Sequence, residues 1–265
     1  MTEAIFRPDG SSFVATELAR GPWDPDAQHG GAPAALMMRA FESLAADGLL
    51  LARVTYEFLR PVPLGALEVR AEVTRSGRRA ALLEGSIVGD DGAELVRARA
   101  LRVRGAQSSR IVSRHPHPAS ATGAPGLQEA RSDESFGWAK RPMFATEAMD
   151  IRFTSGQFAG LGPASAWFKL RVPLVAGESP SPLQRLAAAA DFGNGISSIV
   201  SWEDHLFINP DLTLYVERQP SGEWIHLDAH TRVAPDGIGV AASRLQDERG
   251  QVGCATQALL VQQTR

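Results

Sequence analysis

Alternating apolar and polar positions fill two long stretches of the chain, and a helical pattern accompanies each stretch. From Ala32 to Ala46, apolar residues cover most of the circumference of a helix, which is typical of a buried helix. Runs of period two follow, separated by turns rich in glycine, proline and aspartate, and they predict an antiparallel sheet. The predicted strands of this half are 51–59, 66–75, 79–88 and 94–103.

The second half has a similar order of elements. Ser181 followed by Pro182 is typical of an N-cap and a first helical residue, so a second helix is predicted to begin there. Residues 106–141 lack any period and are rich in serine, proline, histidine and glycine, which predicts a linker. We therefore predict an α+β fold with an N-terminal unit at 1–105 and a C-terminal unit at 142–265. The predicted strands of the second unit are 149–153, 164–170, 207–217, 223–232, 237–245 and 251–261.

The two units also resemble each other in sequence. A constant shift of about 158 positions lays Thr55 on Thr213 and Gly92 on Gly250. Under the same shift Gln257 falls on Arg99, so the halves differ at that position. A chance likeness between two β meanders is the alternative. We predict two copies of one unit, whose sheets join in one layer with both helices on one side.

Composition limits the class of protein. The formal net charge of −3 gives no reason to expect nucleic acid as a partner. The single cysteine, Cys254, excludes an internal disulfide and fits a reducing compartment, and no apolar run reaches membrane-spanning length. The expectation is a cytoplasmic protein without a membrane partner. His115 and His117 lie among prolines, which favours a surface loop over a metal site, and no cofactor is predicted.

The second helix ends in a carboxylate that attracts attention. Leu183, Leu186, Ala187 and Ala190 recur at helical spacing, and Asp191 falls at the edge of that apolar stripe. A carboxylate there is half-buried, so desolvation or a partner must decide its charge. The alternative is an acid at the end of the helix that merely reaches solvent.

Other polar residues also stand in unusual surroundings. Gln257 interrupts an apolar strand, and a buried amide needs a partner. His29, Gly30 and Gly31 open the first helix, where a backbone N–H is a natural oxyanion donor; helix capping and plain turn formation are the alternatives. Asn209 could hold a water molecule through its amide, or could serve only as a turn residue before a strand.

The segments around these residues resemble a known family. Residues 23–41 are similar to the N-terminal half of double-hotdog acyl-CoA thioesterases of the bacterial thioesterase II type. The helix ending at Asp191 and the segments 207–213 and 254–258 are similar to the C-terminal half. The resemblance implies a double-hotdog fold, in which each of two long helices is wrapped by an antiparallel sheet. It also implies an acyl-CoA substrate and, by analogy, a homo-oligomer.

In that family an aspartate, a threonine (in some members another polar residue) and a glutamine orient a water molecule for attack on the thioester. The resemblance assigns the aspartate to Asp191 and the glutamine to Gln257. The threonine position falls on Asn209, which departs from the family pattern, and Thr213 is a nearby rival.

Two other functions are compatible with this fold. Hotdog hydratases carry an aspartate and a histidine together on the loop before the helix; here Asp26 and His29 lie close in sequence, while Asp191 is expected to have no histidine neighbour. A non-catalytic acyl-CoA or lipid-binding module is the second alternative, and Asn209 favours it. A serine hydrolase of the α/β type is disfavoured, because the sequence contains no Gly-x-Ser-x-Gly motif.

Overall fold

One antiparallel sheet and two packed helices make up most of the described chain. The computed structural model describes residues 3–105, 126–132, 141–158 and 160–264, so the predicted linker, with His115 and His117, lies largely outside them. The helices are α1 (Gly31–Ser43), α2 (Pro182–Ala190) and the short α3 (Gly193–Ile196). The strands of the first half are β1 (Phe6–Asp9), β2 (Ser12–Ala15), β3 (Leu49–Phe58), β4 (Gly65–Arg75), β5 (Ala80–Gly89) and β6 (Glu94–Arg104). Those that follow are β7 (Arg131–Ser132), β8 (Met149–Ser155), β9 (Ala164–Leu170), β10 (His205–Ile208), β11 (Asp211–Val216), β12 (Ile225–Val233), β13 (Ile238–Asp247) and β14 (Gly250–Gln263).

The strand order is the same in both halves when read outward from the middle of the sheet. In the described residues the order is β1-β2-β4-β5-β6-β3-β11-β14-β13-β12-β9-β8-β7, and β10 pairs with β14. In each half the strand after the long helix lies at the junction, and the hairpin that precedes the helix lies far from it. The two halves therefore form one continuous layer, as the sequence predicts.

The junction between β3 and β11 preserves the sequence repeat. Thr55 pairs directly with Thr213, and their hydroxyl oxygens lie 3.3 Å apart. On either side, Val54 pairs with Leu214 and Tyr56 with Leu212. Because equivalent residues exchange places across the strand pair, the junction is related to itself by a local two-fold rotation centred near Thr55 and Thr213.

The predicted shift of 158 positions is wrong by one residue for the last strand of each half, β6 and β14. Arg99 pairs with Thr55, whereas the residue that pairs with Thr213 is Thr256. Five residues lie between the paired Val88 and Glu94, whereas four lie between the equivalent pair Gln246 and Gln251, and this extra residue changes the register. Gln257 is therefore equivalent to Ala100, which is buried and apolar, and not to the exposed Arg99.

The first helix ends three residues before its predicted end. The Arg102 side chain, only 4% exposed, donates hydrogen bonds to the carbonyl oxygens of Phe41, Leu44 and Ala45. These bonds satisfy carbonyl groups that have no partner within the helix. The sequence pattern could not predict this ending, because Arg102 lies in a distant strand.

The predicted strand 207–217 is two strands in the structure. Pro210 has no N–H to donate to a ladder, and Asn209 directs its side chain amide to the carbonyl oxygen of Asp211. The break separates β10 from β11 and places Asn209 between them. The described residues contain no helix with the length and hydropathy that crossing a lipid bilayer requires.

Close contact between α1 and α2 positions the end of one helix against the start of the other. A Cβ atom added at Gly31 would lie 2.5 Å from the carbonyl oxygen of Ala188. Small residues are therefore required at this contact, and the alanines of α2 from Ala187 to Ala190 are fully buried against it and the sheet.

We predict that Gly31→Ala destabilises the protein by about 1–3 kcal/mol, because the added methyl group must push the two helix backbones apart. Intrinsic helix propensity alone predicts the opposite sign, since alanine favours a helix over glycine. Urea unfolding midpoints measure the effect. Gly195→Ala is the matched control, because its added Cβ would lie 4.0 Å from the Phe158 ring, an ordinary van der Waals distance. An equal change in both variants would contradict the helix contact.

Candidate active site

Asp191 forms the C-cap of α2, and the local sequence explains its position. The Ser181 hydroxyl accepts the backbone N–H of Gln184 and Pro182 occupies the first turn, so the helix begins where the sequence predicts. The buried side of the helix then carries Asp191 into the interior, where it is only 5% exposed. The carboxylate is thus more deeply buried than the half-buried position that the sequence predicts.

Neutral polar side chains surround this carboxylate. Asn209 Nδ2 donates to Asp191 Oδ1 at 2.8 Å, and Gln257 Nε2 donates to the same oxygen at 3.2 Å. His29 Nδ1 lies 3.2 Å from the other oxygen, Oδ2. The structure therefore brings together four residues that the sequence singled out, from four separate parts of the chain.

Burial controls the charge of Asp191. Desolvation raises the pKa of Asp191 to about 7, against the lowering effect of hydrogen bonds from Asn209, Gly31 and Gln257. Burial also lowers the pKa of His29 to about 3, so its imidazole ring is neutral near pH 7. The contact between His29 and Asp191 is therefore a hydrogen bond and not an ion pair.

The loop before α1 fixes the His29 ring. Its Nδ1 accepts the backbone N–H of Gly31 at 3.0 Å, and the ring packs on Phe144 and Phe192 with centroid distances of 5.1 and 4.3 Å. Because Nδ1 is an acceptor, it can form a hydrogen bond with Asp191 when the carboxyl group is protonated and donates its O–H. The expectation that Asp191 has no histidine neighbour is wrong, because the packing of α1 against α2 brings His29 to it.

The two glycines of this loop allow the close approach. A Cβ atom on Gly30 would lie 2.7 Å from Asp191 Oδ2, so any other residue would displace the carboxylate. Asp26, by contrast, is exposed on the same loop and does not line the cavity beside Asp191.

Gln257 lies behind the carboxylate, with both ends of its amide engaged by protein atoms. Its Oε1 accepts the backbone N–H of Asn194 at 3.0 Å, and its Nε2 faces Asp191. Asn194 also donates through Nδ2 to Asn209 Oδ1 at 3.3 Å. Sequence reasoning missed Asn194; an asparagine between two glycines directly after the helix was the available signal.

Thr213 lies away from this cluster. Its hydroxyl pairs with Thr55 at the sheet junction, while its neighbours Leu212 and Leu214 point to the helix side. Of the two candidates for the middle position, Asn209 is the one that contacts Asp191.

A small cavity of about 80 Å³ opens beside Asp191. His29, Gly30, Asp191 and Asn209 line its polar end. The rest of the wall is mainly apolar and includes the aromatic residues Trp23, Phe158, Phe192 and Trp202. Among the described residues, no group of three or more histidine, cysteine, aspartate or glutamate side chains is arranged to hold a metal ion.

We predict that Asp191→Asn stabilises the protein at pH 8. The asparagine can accept from Asn209 and Gln257 through Oδ1 and donate to His29 Nδ1 through Nδ2, so these three side-chain contacts of Asp191 are retained without its charge. The native pKa of about 7 lies above the unfolded value of 3.8, so wild-type stability falls as the pH rises between them.

The advantage of the asparagine variant should therefore grow by on the order of 3 kcal/mol between pH 5 and pH 8. Unfolding free energies measured at both pH values test this. An advantage that is the same at pH 5 and pH 8 would show that the carboxylate is ionised throughout this range.

Comparison with known proteins assigns the family. The sequence matches the acyl-CoA thioesterase N-terminal domain over residues 19–103 and the acyl-CoA thioesterase C-terminal domain over residues 116–261. A comparison with curated proteins finds no match.

Solved structures match over nearly the whole chain. A protein from Thermobifida fusca YX, provisionally named a thioesterase II, is 17% identical with a TM-score of 0.73, covering 100% of this chain and 96% of its own. An Alicyclobacillus acidocaldarius protein of unknown function with a hot dog fold is 16% identical with a TM-score of 0.72, covering 98% and 96%.

The acyl-CoA thioesterase II TesB2 from Mycobacterium marinum is 16% identical with a TM-score of 0.64, covering 100% and 95%. At these identities the likeness shows an α+β hotdog fold. The family rests on the two domain matches: the chain belongs to the acyl-CoA thioesterase family and is a thioester hydrolase that acts on acyl-CoA.

Proposed function

We propose that Asp191 activates the water molecule that attacks the thioester. The observation that carries this proposal is a carboxylate, buried at the wall of a cavity, whose pKa is raised to about 7. A general base is most effective when its pKa lies near the working pH, because it is then both ionised and basic. Family membership supports thioester hydrolysis as the reaction, and the geometry supports Asp191 as the base.

The reaction needs a proton acceptor and later a proton donor. Asp191 takes a proton from water as the water oxygen bonds to the carbonyl carbon of the thioester. The tetrahedral intermediate then collapses, the carbon–sulfur bond breaks, and the proton on Asp191 is transferred to the departing CoA sulfur. The products are the free acid and CoA, and Asp191 returns to its ionised form.

The start of α1 supports an oxyanion site. Gly30 lines the cavity beside Asp191, and its backbone N–H donates to none of the described acceptors. The Gly31 N–H is already engaged by His29, so Gly30 is the better donor of the two. His29, neutral and held by aromatic rings, accepts from Asp191 when the carboxyl is protonated and shields it from bulk water.

The amides have different parts in this proposal. Asn209 contacts Asp191 and lines the cavity, so it can hold both the carboxylate and the attacking water. Gln257 does not line the cavity, and its amide is satisfied by Asp191 and Asn194; it acts as a positioning residue. Thr213 has no part in it.

We also propose a double-hotdog arrangement, with units joined through β3 and β11. The repeated strand order and the two-fold relation at Thr55 and Thr213 support it. Each unit supplies one long helix, and the site forms where the start of α1 meets the end of α2.

One observation favours a second function, hydration of an enoyl-CoA. A histidine and a carboxylate in contact, as in His29 and Asp191, could add water across a double bond as well as to a thioester. Loss of the conjugated enoyl absorbance without release of free CoA would support hydration. Binding of acyl-CoA without either reaction would support the non-catalytic module.

We predict that kcat/KM for acyl-CoA hydrolysis rises with pH through about 7, because only ionised Asp191 can accept the proton. Well below pH 7 the rate constant should fall about tenfold per pH unit. Asp191→Asn should reduce it by about 10²–10⁴-fold and remove this dependence. Release of free CoA thiol, followed across pH 5 to 9, gives the profile.

Asp236→Asn is the control for this experiment, because Asp236 is an exposed loop carboxylate outside the cavity. It should keep the wild-type profile. An acidic limb that persists in Asp191→Asn would place the base elsewhere.

Gln257→Ala tests the positioning role. The hydrogen bond from Gln257 lowers the pKa of Asp191, so its loss should move the acidic limb of the pH profile to higher pH and reduce kcat more than it changes KM. Gln262→Ala, on the same strand but exposed, is the matched control. A uniform loss of activity with an unshifted limb would indicate a purely structural role for Gln257.

A further inference from the structure

The cavity beside Asp191 is small for an acyl-binding site. Its volume is about 80 Å³, whereas a cavity of roughly 150 Å³ is known to hold a benzene molecule. The cavity therefore has about half the volume that holds the six carbon atoms of benzene, which leaves room for about three carbon atoms.

Interlocked aromatic rings close part of the cavity wall. Trp202 stacks on Trp23 at 4.8 Å and on Phe158 at 5.4 Å, and it meets Phe207 edge-on at 4.5 Å. Trp23 meets Phe207 edge-on as well, at 5.0 Å. A longer acyl chain would have to separate these rings, and Trp202 contacts every other member of the group.

The cavity wall also indicates an uncharged acyl group. Arg20 is the basic residue with a permanent charge that lines the cavity, but its three guanidinium nitrogens donate to Pro25, Pro142 and Glu17. The Arg20 guanidinium group is therefore already bound to acceptors of the protein. A second carboxylate on the substrate would be repelled by the ionised Asp191 in the same cavity.

We propose that the enzyme acts on short, uncharged acyl groups of about two to four carbons, and that Trp202 sets this limit. The proposal rests on the function proposed above, because it takes the cavity beside Asp191 as the acyl site. Gly195 contributes to the same space: it lines the cavity, and an added Cβ would lie 4.0 Å from the Phe158 ring.

The experiment measures kcat/KM by thiol release for acetyl-, butyryl-, hexanoyl-, decanoyl- and benzoyl-CoA. In the wild type we expect a fall of at least about 100-fold from butyryl- to decanoyl-CoA, since methylene groups that do not fit cost about tenfold or more each. Trp202→Ala should raise the decanoyl-to-acetyl ratio of kcat/KM by about 10-fold or more. Gly195→Ala should lower the butyryl-to-acetyl ratio, because it narrows the cavity.

Two further variants keep the test readable. Trp23→Ala removes a second ring from the same cavity wall. Because Trp23 is already 39% exposed, this variant replaces Trp202→Ala in the test if Trp202→Ala does not fold. Trp224→Ala is the matched control, because Trp224 packs beside Arg152 and Lys169 outside the cavity, and its ratios should equal those of the wild type.

The outcomes separate this proposal from the one on which it rests. Equal or better hydrolysis of decanoyl-CoA by the wild type, abolished by Asp191→Asn, would overturn the size limit and leave the proposed base in place. Short-chain selectivity that survives Asp191→Asn would overturn the proposed base and leave the size limit in place. Absence of hydrolysis at every chain length would overturn both.

Discussion

The site depends on the contact in which the start of α1 packs directly on the backbone at the end of α2. Gly31 has no side chain, so the Ala188 carbonyl can come within van der Waals distance of its backbone. This contact carries His29 and Gly30 onto Asp191, removes the carboxylate from water and excludes bulkier neighbours. Burial then raises the pKa of Asp191 to about 7, which is the property that the proposed general base requires. The packing constraint and the raised pKa thus have one physical origin.

The local two-fold relation defines an equivalent position for a second site, but the side chains there differ. At the other end of the helix pair, the half-buried Glu42 near the end of α1 accepts hydrogen bonds from Ser181 and Gln184 at the start of α2. That cluster caps a helix. At the positions equivalent to Asn209 and Gln257 stand Leu51 and Ala100, which are buried and apolar and cannot hold a carboxylate or a water molecule. The two ends of the helix pair thus have similar helix packing, but only the end with Asp191 carries the polar side chains of the candidate site.

Helices and strands were predictable from the sequence where neighbouring residues determine them. Ser181 and Pro182 mark the start of α2, and alternation marks the strands, because caps and period-two burial are properties of neighbouring residues. Gln257 was identifiable as a buried amide that needed a partner, since its strand is otherwise apolar on that face. The ending of α1 at Arg102 was not predictable, and neither was the one-residue change of register beyond the β5–β6 turn, because both depend on contacts between distant segments.

The contact between His29 and Asp191 belongs to the same class, and it changes the chemical argument most. Sequence reasoning singled out each residue in its own window but expected no contact between them. Once the helices pack, the neutral imidazole of His29 lies against the carboxyl of Asp191, whose pKa is about 7. Because hydration and hydrolysis both begin with water beside such a pair, the pair alone does not select the reaction. In both reactions the thioester oxygen can accept from the proposed donor, the Gly30 N–H, so selection depends on which carbon lies beside the water: the carbonyl carbon for hydrolysis, or the β carbon, two bonds further along the acyl chain, for hydration. Under the proposed mechanism, the distance between the base and the oxyanion donor, and not the identity of the base, therefore distinguishes the two reactions.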